Sequence, residues 1–147
     1  DLDLDPARAR AGAERVFRGN VGAFYLRAEV AGQVVGQAMV TDEWSDWRNT
    51  HVWWLQSVYV PRPWRGRGVF RAMYDHVREA ARAAGAAGVR LYVDRRNTNA
   101  QAVYDAVGMN GAHYTLYEAL FDDMPAPPFR EGPADGTLPR GHAPEAP

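Results

Sequence analysis

The sequence predicts an α/β fold, a mixed twisted sheet with helices packed on it, and three observations carry that expectation. Apolar residues recur with strand spacing in 23–30, 33–41 and 51–60, and with helical spacing in 6–18 and 70–84, so the two element types interleave. The step from the strand at 52 through a helix to a strand ending at 93 requires parallel strands joined by a right-handed crossover. At 147 residues, 46% of them hydrophobic, the chain has material for one core.

Each element has a local cause. Asp5-Pro6 starts the first helix with a capping carboxylate and a proline where the missing N–H costs nothing, and Gly19 is placed to end it. The tight Ala31-Gly32 turn joins the strands at 23–30 and 33–41 into a hairpin. Residues 42–50, polar and aromatic, read as a connection. The strand from His51 to Val60 is apolar at almost every position and is expected to be central. Pro61 and Pro63 stop it, and the helix that follows ends at Gly85. Val89 to Val93 is a short strand, and Asn97 or Thr98 caps a helix closed by Gly108. A last strand is expected around His113 to Phe121. The domain is placed at 1–123, with 124–147 a Pro- and Gly-punctuated tail, flexible or draped on the surface.

Composition excludes several function classes. No apolar run reaches the 18 residues of a membrane span, and the acidic start lacks the layout of a signal peptide. Cysteine is absent, which removes disulfides, thiolate nucleophiles and the common zinc clusters. A cytoplasmic, metal-independent protein is the expectation. A net charge of −1 argues against general nucleic-acid binding. All 17 basic residues are Arg, and Arg62, Arg65, Arg67 and Arg71 fall in ten residues without an acid.

Those arginines frame the strongest signal, a strand followed by Arg65-Gly66-Arg67-Gly68 and then a helix. Unpaired N–H groups at a helix start suit a phosphate, glycines let a ligand approach the backbone, and arginines add charge and bidentate donors. Such a segment also serves elsewhere as an ordinary turn. It has no Gly-Lys-Ser/Thr of a nucleotide P-loop and no G-x-G-x-x-G of a dinucleotide fold.

Here the sequence resembles the GNAT acetyltransferase superfamily, whose coenzyme loop reads Q/R-x-x-G-x-G/A after its fourth strand. Arg65-Gly66-Arg67-Gly68-Val69-Phe70 matches it except at Phe70, where the family has a small residue. Downstream, the family's Asn-x-x-Ala-x-x-x-Tyr-x-x-x-Gly-Phe becomes Asn97 through Met109, with Ala100, Tyr104 and Gly108 in place and Met for the terminal Phe. The resemblance covers roughly residues 6–121. It implies a GNAT-type sheet with helices on both faces. In the family a strand and a helix precede the helix placed here at 6–18. Five residues precede it in this sequence, which leaves two alternatives: a complete chain lacks one wall of the acceptor cleft, and a fragment has its acceptor-contacting remainder outside this sequence.

The resemblance also implies a chemistry. Acetyl-CoA would lie where the fourth and fifth strands splay, its pantetheine on the backbone of Val58, Tyr59 and Val60 and its pyrophosphate on Arg65 to Phe70. Asn97 and Ala100 belong to the coenzyme side. An amine attacks the thioester directly, and Tyr104 matches the Tyr that returns a proton to the departing sulfur. Many members carry a Glu base where this chain has Gln56, which can orient a water but cannot take a proton. Asp42, Glu43, Asp46 and His51 flank the same strand pair, and Glu43 is the candidate among them for the base. With Trp44 and Trp54, Asp42 and Asp46 are candidates to line an acceptor site. Of Trp53 and Trp54, one is expected to pack inward while the other faces the cleft.

The expected function is transfer of an acetyl group to a primary amine of a small molecule or peptide. The alternative is a non-catalytic acyl-CoA-binding or sensing module of the same fold. No membrane partner is expected, and a homodimer stays open. The absence of lysine gives a first test. Prolonged incubation with acetyl-CoA should leave no stable acetyl group except at the N-terminal amine, and an internal adduct in the mass spectrum would reveal an unforeseen nucleophile.

Overall fold

The computed structural model describes residues 5–19 and 21–121. The element order is α1 (Pro6–Phe17), β1 (Ala23–Val30), β2 (Gln33–Ser45), β3 (Thr50–Tyr59), α2 (Val69–Ala83), β4 (Val89–Arg90) and α3 (Thr98–Ala106), with short 3-10 turns at Asp46–Arg48 and Arg62–Trp64. The four strands form one sheet in the order β1-β2-β3-β4. The first three are antiparallel, and β4 lies parallel to β3.

Local chemistry sets most boundaries. Asp5 accepts the Ala7 N–H at 2.9 Å and Pro6 fills the first position of α1. Ala31 and Gly32 both have positive φ, 48° and 78°, the geometry whose twist matches a two-residue hairpin. Asn97 Oδ1 accepts the Ala100 N–H at 3.1 Å and starts α3.

Alternation along β1 assigns the faces. Phe24 and Leu26 pack with Ala38, Val40 and Leu55 against Tyr74 and Val77 of α2. Tyr25 points the other way and stacks on Phe17 of α1, ring centroids 5.3 Å apart. Helices thus cover both faces, as the resemblance implied. Val40 and Val77 are buried at the centre of the α2 side, each contributing roughly 1.5–3 kcal/mol by leaving water.

The structure departs from the sequence reading in three places. β2 continues to Ser45, so Asp42 to Ser45 are strand rather than connection, paired with Thr50 to Trp53. Their polar side chains find partners across the ribbon, which polarity alone does not announce. β4 comprises Val89 and Arg90 rather than 89–93. Residues 113–121 form no strand, and Tyr117 and Leu120 there are 90% and 79% exposed. Apolar alternation makes a strand only where a neighbouring ladder exists, and β4, two residues long, offers almost no ladder on its outer edge. The tail placed at 124–147, and with it the domain boundary, lies outside the described residues.

Helix α2 sits unusually deep on the sheet. A Cβ added to Gly36 of β2 would lie 2.7 Å from Val69 Cγ1 and 3.1 Å from Met73 Cε. Gly36→Val should therefore overpack this contact by about 1–3 kcal/mol and lower Tm by roughly 3–10 °C in thermal melts. An unchanged Tm would mean that α2 lifts without cost.

Candidate active site

The site begins with an irregularity in β3. Gln56 pairs with Met39 but Tyr59 pairs with Gln37, so Ser57 and Val58 together oppose Ala38. Ser57 accordingly adopts a left-handed φ of 47°. On the other edge of β3, β4 pairs only with Trp53 and Trp54. From Leu55 onward no strand among the described residues pairs with that edge, which leaves the backbone of Val58, Tyr59 and Val60 beside an opening. Val58 itself packs on the core.

The opening leads to the start of α2. Gly66 and Gly68 have φ of 71° and 80°, and Gly68 caps the helix without any side-chain hydrogen bond. The first helical bond of this turn runs from Ala72 N–H to Gly68 O, so the N–H groups of Val69, Phe70 and Arg71 have no intrahelical acceptor. A Cβ at either glycine would meet nothing within 4 Å, so glycine is required here by φ and the surface above it is open. Phe70, the departure from the family loop, turns its ring onto Tyr74 at 6.1 Å and Tyr104 at 5.2 Å. Its side chain thus packs between α2 and α3.

The arginines are tethered rather than loose. Arg65 Nε donates to Val60 O at 2.9 Å, Arg71 Nη2 donates to Ala106 O at 2.8 Å, and Arg67 lies over the Trp64 ring at 5.3 Å. They bind the strand end and α3 to the loop while keeping positive charge at the helix start.

Helix α3 brings Tyr104 to the same end. The phenol is half-buried, and desolvation of its charged form raises its pKa above the usual 10.0. Its hydroxyl has no hydrogen-bond partner among the described residues. Asn97 caps α3 and so holds local backbone. Ahead of it, the Asp94 carboxyl is held at about 2 chiefly by its hydrogen bonds from Arg96.

The candidate acceptor residues divide between the two faces of the sheet. Asp42 and His51 lie on the α2 side, with Nδ1 2.5 Å from Oδ2 but off the line of a directed hydrogen bond. The Trp44 ring stands edge-on to His51 at 5.2 Å. Asp46 stays local, accepting the Trp47 N–H at the hairpin tip. Trp53 packs inward against Phe24. On the opposite face, Gln56 Nε2 donates to Thr41 Oγ1 at 2.7 Å, and Trp54 Nε1 donates to Glu43 Oε2 at 2.6 Å. Arg90, in register with Trp54, reaches Glu43 Oε1 at 3.2 Å. Sequence reasoning missed Arg90 and Thr41. Their neighbours are set by strand register, which no local motif encodes.

Among the described residues no group of three His, Asp or Glu is placed to hold a metal, and no helix is long and apolar enough to cross a membrane. No curated protein matches the chain. Among solved structures, a possible acetyltransferase from Clostridium difficile 630 is 33% identical, over 81% of this chain and 79% of its own, with a TM-score of 0.71. A ribosomal-protein-alanine N-acetyltransferase from Brucella melitensis biovar Abortus 2308 is 23% identical, over 78% and 85%, with a TM-score of 0.66. AAC(6')-Iy, solved with the bisubstrate analogue CoA-S-monomethyl-acetylneamine, is 17% identical, over 82% and 83%, with a TM-score of 0.69. At these last two identities the likeness is one of fold. The Acetyltransferase (GNAT) family matches residues 3–109, most of the chain, and the chain belongs to that family and is an acyltransferase of its type.

Proposed function

We propose that the protein transfers an acetyl group from acetyl-CoA to a primary amine of a small molecule or peptide. The observation that carries this reading is the uncapped start of α2 lying at the end of a strand whose edge is open. The residues present fit the coenzyme. The N–H groups of Val69 to Arg71 and the bare surface of Gly66 and Gly68 receive a pyrophosphate, with Arg65 and Arg67 beside it. The backbone of Val58 to Val60 offers hydrogen bonds to an extended pantetheine arm. Asn97 and Ala100 build the first turn of α3 and so place Tyr104.

Acetyl-CoA supplies the activated acyl group, with a thiol as leaving group. The chain's part is to orient it and to manage protons. Tyr104, its pKa raised by burial, keeps its proton at neutral pH and can give it to the departing sulfur. Gln56, tied to Thr41, holds a water for the acceptor's proton. Glu43, on the same face, is the carboxylate that takes it, since two donors leave a carboxylate further lone pairs. Trp54 lines this side. Trp44, Asp42 and Asp46 stand apart from it, so the acceptor site proposed here is narrower than the acidic cluster in the sequence. The second reading, an acyl-CoA-binding module without turnover, draws on Gln56 itself, because an amide at the base position cannot take a proton.

Two measurements test these readings. Saturating acetyl-CoA, at a hundredfold over Kd, should stabilise the chain by about 2.7 kcal/mol and raise Tm by roughly 5–10 °C. Gly68→Leu should still fold, at a cost of about 1–2 kcal/mol for φ, and lose that rise. No rise in the wild type would count against coenzyme binding altogether.

Release of CoA thiol with a panel of amines separates catalysis from sensing. Tyr104→Phe keeps the ring against Phe70 and removes the hydroxyl, so kcat should fall about 100-fold with coenzyme affinity unchanged. Full activity would remove Tyr104 from the mechanism. Parallel loss of binding and rate would make it a packing residue.

A further inference from the structure

We propose that the acceptor amine also carries a carboxylate, and that Arg90 binds it. The inference rests on the acetyl-transfer reading and names the substrate class of that site. Arg90 occupies the last paired rung before β3 and β4 part, on the sheet face shared by Trp54 and Gln56. It therefore stands at the mouth of the opening, where an acceptor must enter to meet the thioester.

Its guanidinium is held on three sides. The Trp54 ring lies 5.9 Å from its central carbon, the Tyr114 ring 6.0 Å, and Glu43 Oε1 3.2 Å from Nη1. Two aromatic faces and one carboxylate fix the plane of the fork. Yet only one of its nitrogens has an acceptor among the described residues. Nε and Nη2 have no acceptor among the described residues, and the side chain is 31% exposed. A guanidinium has five N–H donors, and an oriented fork with a free edge matches a carboxylate bidentately.

Glu43 does not cancel this. Each of its oxygens accepts one donor, one from Trp54 and one from Arg90, which leaves lone pairs for the acceptor's proton and the other N–H groups of Arg90 for a carboxylate. What the cluster turns outward is the unused edge of Arg90. Tyr92, 6.4 Å from Trp54, extends the aromatic wall beside it, which favours an acceptor with an apolar or aromatic body between amine and carboxylate.

Matched acceptors test the idea: L-phenylalanine, its primary amide and phenethylamine, and the same three forms of tryptophan. With saturating acetyl-CoA, kcat/KM should favour the free acids over both forms that lack the carboxylate by about 10–100-fold, through KM. Arg90→Gln should bring the three forms together, and Arg90→Lys, with charge but no fork, should recover only part of the preference. Ligand-observed NMR with CoA present should show the acids binding to wild type and losing affinity in Arg90→Gln. Equal or better use of the amides and amines by wild type would overturn the proposal. So would the absence of saturable, Arg90-dependent binding of the acids. If the acids bind through Arg90 but no CoA is released, acetyl transfer fails while this recognition stands. If amines are acetylated with no regard for a carboxylate or for Arg90, the reverse holds.

Discussion

Helix α2 is fastened to the sheet at both ends, and the rest of the site depends on that double attachment. At its far end Thr50 Oγ1 donates to Gly85 O at 2.8 Å and the Ala87 N–H donates to His51 O at 2.8 Å. At its near end Val69 and Met73 press on the bare backbone of Gly36, and Arg65 holds the incoming loop to Val60. Between them Tyr74 and Val77 fill the space over Ala38, Val40 and Leu55. A helix clamped in this way cannot slide along its axis without breaking hydrogen bonds at one end or meeting backbone at the other. The unpaired N–H groups at its start are therefore fixed relative to β3, and a ligand that spans both finds them already in place, which lowers the entropy lost on binding.

The features legible in the sequence were those with a local cause. Asp5-Pro6, Ala31-Gly32, Asn97 and the glycines at 66 and 68 each impose a backbone geometry on a few neighbours, and each produced the element expected of it. The features that escaped depend on partners distant in sequence. The extension of the hairpin through Ser45 rests on pairs such as Glu43 with Trp54, and polar residues of that kind look like a loop until the partner strand is known. The left-handed Ser57 has no glycine or asparagine to mark it. Arg90 was brought beside Trp54 and Glu43 only through parallel register. Residues 113–121 have the alternation of a strand and no ladder to join.

The same distinction explains the arginine cluster. Its density in sequence pointed to an anion, yet Arg65, Arg67 and Arg71 each have a partner within the protein. A guanidinium can serve both purposes, since one N–H on a carbonyl leaves others for a ligand. These arginines set the shape of the loop and its potential together, which an ammonium with one compact head does less well.

The bulge at Ser57 inverts the phase of β3. Before it, Leu55 faces α2 and Gln56 faces away. Strict alternation would then send Tyr59 under the helix and Val58 out. With two residues set against Ala38, Val58 goes under the helix instead, while Tyr59 pairs with Gln37 on the outer side. The outer face thus runs unbroken from Trp54 through Gln56 to Tyr59, although those residues do not share one parity in the chain. An extended molecule lying along the strand would meet a single continuous surface there, with a polar amide midway and an aromatic ring at each end.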